Sequence, residues 1–207
     1  MKCLIADTML DALKKFVDQV IGNETFLLVG NSYGGYLALG MVFDPSMNID
    51  GVFLIGPCVI SDNTKRKLPT KGEVTINPNL KSIIKSETDF NDFIEVSLVP
   101  TIKIWHRYEA EILSGLRVAD ADFLKKYRKR GYGFSFESKL KELAFMKPVC
   151  ILADKQDDVV GYEDAWDLLK QLPRLTFVVI DHVGHNLQIE NPTVFNVHLH
   201  DWLGKTE

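Results

Sequence analysis

Short, mainly apolar runs alternate along this chain with stretches in which apolar residues return every three or four positions. The runs at 26–29, 52–55, 149–153 and 176–180 are rich in branched side chains and bounded by Gly, Pro or charged residues, the pattern of β-strands. Strands without polar alternation are those covered on both faces, as in a parallel sheet. Ahead of the first, Met9, Leu10, Leu13, Phe16, Val17 and Val20 keep helical spacing opposite Lys14, Lys15, Asp18 and Gln19, which predicts an amphipathic helix. Gly22-Asn23 ends it. Helices are also predicted over 36–43, 162–172 and 193–203. Strands alternating with helices imply right-handed βαβ crossovers and a parallel α/β sheet.

Residues 59–145 break this rhythm, being polar, rich in Lys and Asp, and helical at 90–96 and 120–129. They are expected to form a mainly helical lid, with 1–58 and 146–207 as the α/β core. An insertion after a strand end lies over the face where such sheets bind ligands.

The chain has 207 residues, 46% of them hydrophobic, enough for one substantial core. A formal charge of -4 argues against a polyanion binder, so no nucleic-acid partner is expected. No apolar run approaches the roughly 18 to 20 residues that span a bilayer, and residues 1–15 lack a basic start followed by an apolar stretch. The expectation is a soluble, cytoplasmic protein with no membrane partner. Cys3, Cys58 and Cys150 are too far apart for a Cys-x-x-Cys arrangement and read as buried free thiols, without a disulfide framework or zinc site.

Gly30-Asn31-Ser32-Tyr33-Gly34 follows the first strand and precedes a helix, the context that a Gly-x-Ser-x-Gly nucleophile turn requires. A bend that sharp strains the serine backbone, and Gly30 and Gly34 are expected to remove colliding Cβ atoms. Ser32 then lies at the positive end of the next helix, with Tyr33 N–H as the natural oxyanion donor. Serine is a weak nucleophile and needs a base, itself oriented by an acid. His185 follows the last strand in Asp181-His182-Val183-Gly184-His185-Asn186. It is preferred to its neighbour His182 because Gly184 frees the loop to turn its successor inward. His106 in the insertion, and His198 and His200 on the final helix, are read as solvated or packed side chains. Asp157 is the favoured acid in Asp154-Lys155-Gln156-Asp157-Asp158-Val159, several residues beyond its strand and anchored by Val159-Val160. Asp154 and Asp158 are the alternatives.

Gly30 to Gly34, the acid loop at 153–160, and Gly184-His185-Asn186 through Glu190-Asn191-Pro192 occur in the order Ser, Asp, His and resemble the α/β-hydrolase superfamily. The resemblance implies a serine hydrolase with a lid. It also implies N-terminal strands, and a loop with a second oxyanion N–H, that nothing before Leu10 matches. The chain is therefore expected to lack its opening strands, leaving the strand at 26–29 with an open edge through which the protein self-associates.

The expected activity is hydrolysis of a small ester, thioester or carbon–carbon bond beside a carbonyl, with a small-molecule substrate and no cofactor. The alternative is a non-catalytic or weakly active binding protein lacking a complete oxyanion hole; acyl transfer to an acceptor other than water is a variant. A metal centre is not expected, since no His and carboxylate pair shows ligand spacing on one helix. The basic runs Thr64-Lys65-Arg66-Lys67 and 125–130 read as solvated faces or as a rim favouring anionic substrates. Trp105, Tyr108 and Phe123 line an acyl pocket or pack the lid.

Overall fold

The computed structural model describes residues 5–70 and 72–206; Cys3 lies outside them. The first element is α1 (Ile5–Val20), followed by β1 (Phe26–Asn31), α2 (Tyr33–Val42) and β2 (Ile49–Ile55). Five helices come next with no strand between them among the described residues: α3 (Leu80–Ile83), α4 (Glu87–Val96), α5 (Ile102–Tyr108), α6 (Ser114–Val118) and α7 (Ala121–Arg130). Then follow β3 (Val149–Asp154), α8 (Glu163–Leu169), β4 (Leu175–Ile180), α9 (Leu187–Glu190) and α10 (Pro192–Leu203).

The four strands make one parallel sheet in the order β1-β2-β3-β4. Successive strand residues face opposite sides, so each apolar run feeds two cores. Val52, Leu54, Val149 and Ile151 pack with Leu10, Tyr36 and Leu39 from α1 and α2. Phe53, Ile55, Cys150 and Leu152 pack with Trp202 of α10. Trp202 is buried and its Nε1–H donates to Pro148 O at 3.2 Å, which satisfies the polar atom that an indole would otherwise strand in the core. Truncating so large a core side chain costs about 3–5 kcal/mol.

α2 begins at Tyr33 rather than at residue 36, because the N–H groups of Gly35 and Tyr36 already donate to Ser32 O at 3.0 and 3.3 Å. β1 is the sheet's edge among the described strands. Its residues facing the α10 side have little cover: Leu27 is 39% and Val29 53% exposed. The long segment between β2 and β3 has an apolar cluster of its own around Leu80, Phe93, Trp105 and Tyr108. Trp105 and Tyr108 are thus packing residues, while Phe123 is exposed on α7. Val59, Phe134, Leu140 and Leu143, at the two ends of that segment, join the main core instead.

Candidate active site

Ser32 occupies the bend between β1 and α2 with φ 51° and ψ -119°, a conformation that costs a non-glycine residue of order 1–3 kcal/mol. Neighbouring strand ends enforce it. Ser32 N–H donates to Ile55 O at 3.0 Å, Asn31 Nδ2 donates to the same carbonyl at 3.1 Å, and Cys58 N–H donates to Ser32 O at 3.0 Å. The glycines around the bend divide differently from expectation. A Cβ on Gly30 would stand 2.7 Å from Gly34 O, and one on Gly35 2.8 Å from Pro57 Cβ, whereas a Cβ on Gly34 would meet nothing within 4 Å. Gly35, not Gly34, is therefore the second sterically required glycine: the first turn of α2 presses residue 35 onto the chain leaving β2 and turns residue 34 outward.

The imidazole reaches this bend from the loop after β4. His185 Nε2 is 2.8 Å from Ser32 Oγ, and His185 Nδ1 is 2.8 Å from Asp157 Oδ2. An ionised carboxylate can only accept, so Nδ1 carries the proton donated to Asp157 and Nε2 is left to accept the Ser32 hydroxyl. Asp157 is buried, and its other oxygen accepts the N–H groups of Val159 and Val160 at 2.8 and 3.1 Å. Its carboxylate is thereby fixed with one oxygen facing the ring. Tyr33 N–H lies in the first turn of α2, where backbone N–H groups have no partner within the helix. The structure therefore brings together Ser32, His185 and Asp157, with Tyr33 N–H beside them.

Residues 5–197 match the alpha/beta hydrolase family. The chain belongs to that family. It superposes on an alpha/beta superfamily hydrolase from Oenococcus oeni PSU-1 with a TM-score of 0.87 and 30% identity, over 97% of this chain and 74% of that one. The fold is also shared with a serine hydrolase involved in carbazole degradation, the CarC enzyme, at a TM-score of 0.68 and 19% identity over 96% of this chain and 71% of that one. A 2-hydroxy-6-oxo-6-phenylhexa-2,4-dienoate hydrolase from Rhodococcus sp. strain RHA1 gives 0.62 and 19%, over 96% of this chain and 70% of that one.

Two of the rival residues of this alpha/beta hydrolase, His182 and Asp154, are not part of that chain of contacts. His182 is exposed, with φ 62°, and its N–H donates to Gln156 Oε1. His182, and not Gly184, absorbs the left-handed turn of the loop. Gly184 is required for closeness: a Cβ there would stand 2.7 Å from Val96 O and 2.8 Å from Glu190 Oε1. Asp154 ends β3, 1% exposed, with neither carboxylate oxygen hydrogen-bonded. Burial first, then the charges of Asp157 and Glu190, hold its carboxyl well above the ordinary aspartate range.

Two features escaped sequence reasoning. Glu190 stands five positions after His185, and its carboxylate accepts Leu98 N–H and Val99 N–H, both at 3.1 Å, and Gly184 N–H at 3.2 Å. With His185 N–H donating to Val96 O at 3.0 Å, it ties the histidine loop to the segment after α4. In front of Ser32 opens a cavity of about 680 Å³, whose lining includes Tyr33, Cys58, Arg66, Arg128 and Val159. Tyr33 hydroxyl donates to Tyr132 O at 2.9 Å and meets Tyr127 hydroxyl. Burial, then that contact with Tyr127, pushes the phenol upward, so it remains neutral and acts as a wall. Burial likewise raises the Cys58 thiol, to about 11, so it too remains neutral.

Proposed function

We propose that this alpha/beta hydrolase cleaves a small ester, thioester or carbon–carbon bond beside a carbonyl, with Ser32 as nucleophile, His185 as base and Asp157 as orienting acid. The observation that carries the reading is the unbroken chain Asp157 Oδ2, His185 Nδ1, His185 Nε2, Ser32 Oγ, with 2.8 Å at each contact, beginning from a serine held in a strained bend. Attack of Ser32 Oγ on the carbonyl carbon forms the C–O bond as the hydroxyl proton passes to Nε2. The carbonyl oxygen becomes an oxyanion, received by Tyr33 N–H at the positive end of α2. Collapse of this intermediate expels the leaving group, which takes the proton from Nε2. Water then repeats the sequence on the acyl-serine and releases the acid.

The test is labelling with a fluorophosphonate, followed by mapping of the adduct. Ser32 is expected to carry it, and Ser32→Ala to abolish both label and ester turnover; an unlabelled Ser32 at high reagent concentration removes the proposal. His185→Ala is expected to lower kcat about 10⁴-fold or more, since the members of such a triad act as a unit.

A further inference from the structure

The cavity before Ser32 carries charge for which hydrolysis alone gives no use. Arg66 is half-buried in its wall, and four bonds immobilise the guanidinium. Nε donates to Ile60 O at 2.8 Å, Nη1 to Val159 O at 2.8 Å, and Nη2 to Ser61 O at 3.3 Å and Cys58 Sγ at 3.2 Å. These acceptors are uncharged, so Arg66 is positioned by the protein without being neutralised, and it forms no ion pair among the described residues. Arg128, exposed on α7, contributes a second cation to the lining and likewise has no ion pair among the described residues.

Of the two carboxylates at this wall, Asp62 is paired with a cation and Glu137 is held by neutral donors. Asp62, also in the lining, accepts the N–H and hydroxyl of Thr64 at 3.1 and 2.7 Å and pairs with Lys65 at 3.0 Å. Glu137, behind the wall, accepts Ser61 N–H at 3.2 Å and the Tyr36 hydroxyl. In a chain of net charge -4, the space next to the nucleophile therefore presents two arginine charges that nothing in the wall pairs. Fixed cations facing a cleft favour anionic ligands, both in encounter and in binding.

We propose that the substrate is an anion, carrying a carboxylate beyond the carbonyl that Ser32 attacks, and that Arg66 and Arg128 hold this carboxylate. Arg66 has spent four of its five N–H directions on the protein, leaving one donor and its field. That suits a singly charged carboxylate shared with Arg128 better than a phosphate, which brings more charge and asks for several donors at once. The proposal rests on Ser32 being the nucleophile.

The experiment compares two esters of equal acyl length, 4-nitrophenyl hemisuccinate and 4-nitrophenyl butyrate. The hemisuccinate is expected to have a kcat/KM about tenfold or more above the butyrate, as a charged hydrogen bond warrants, with the advantage shrinking as salt is added. In Arg128→Gln the ratio of the two is expected to fall toward one; Arg66→Gln does the same, and because Arg66 also ties 58–61 to Val159, the exposed Arg128 keeps the test intact should that variant not fold. A ratio at or below one in the native protein, or one unaltered in Arg128→Gln, overturns the proposal while leaving ester hydrolysis standing. If neither ester is cleaved and Ser32 takes no label, hydrolysis itself has failed, and calorimetric titration with succinate decides separately: binding weakened by Arg128→Gln upholds the anion site, and absence of binding overturns it.

Discussion

Asp154, at the end of β3, and Asp157, three residues on, meet opposite conditions. Asp157 has three donors for its two oxygens, while Asp154, buried just behind it, has none among the described residues. A Cβ placed on Gly56 would stand 3.4 Å from Asp157 Oδ2, 3.5 Å from Asp154 Oδ2 and 3.6 Å from His185 Nδ1, so these groups surround one point. Ionising Asp154 there would place a second anion, without solvent, beside the first. Its carboxyl is raised above the unfolded value, so the native state holds a proton that the unfolded chain releases above about pH 4. This contribution to stability is fully present below the unfolded pKa and is lost as pH rises toward the folded one, at about 1.4 kcal/mol per pH unit. Asp154→Asn removes the proton from the balance. Thermal melting is expected to show the variant gaining on the native protein between pH 5 and pH 8; parallel melting curves across that range would contradict a protonated Asp154.

Between elements, the histidine loop owes its placement to the helical segment between β2 and β3 as much as to the sheet. Glu190, the last residue of α9, gathers N–H groups from both sides of the junction, and Arg107 of α5 adds a bond from Nη1 to Gln188 O at 2.9 Å. Removing the carboxylate leaves three backbone donors without a partner, and each buried unpaired group costs about 1–3 kcal/mol. Glu190→Ala is expected to slow fluorophosphonate labelling of Ser32 by about tenfold or more, because the imidazole loses the loop that aims it. Glu190→Gln, which keeps a carbonyl acceptor, should lose less. Equal labelling rates in Glu190→Ala and the native protein would show that the sheet alone positions His185.

For the molecule as a whole, the open side of β1 is the exposed liability. Its backbone pairs with β2 alone among the described strands, and Leu27 and Val29 are left half-covered because α10 packs over β2 and β3. An unpaired apolar edge is a template for another strand, and we propose that its occupant is the β1 edge of a second copy. Sedimentation velocity is expected to show concentration-dependent association of the native chain and a shift toward monomer in Val29→Lys. At so exposed a position that substitution changes stability by only about 0.5 kcal/mol. Identical sedimentation of the two would argue against association through this edge. No helix among the described residues is long and apolar enough to cross a membrane.

Sequence by itself determined the strands, the helices that alternate with them and the bend at Ser32, because these are written in local periodicity and in residues a few positions apart. It also narrowed the acid and base to two short loops beyond strand ends. Tertiary structure decided what depends on distant partners. Ser32 and His185 meet across 153 positions, Glu190 and Leu98 across 92, and Arg66 and Val159 across 93. The orphaned Asp154, the crowding at Gly35 and the left-handed turn at His182 are likewise products of packing, since burial and steric contact come from side chains brought near only when the sheet has formed.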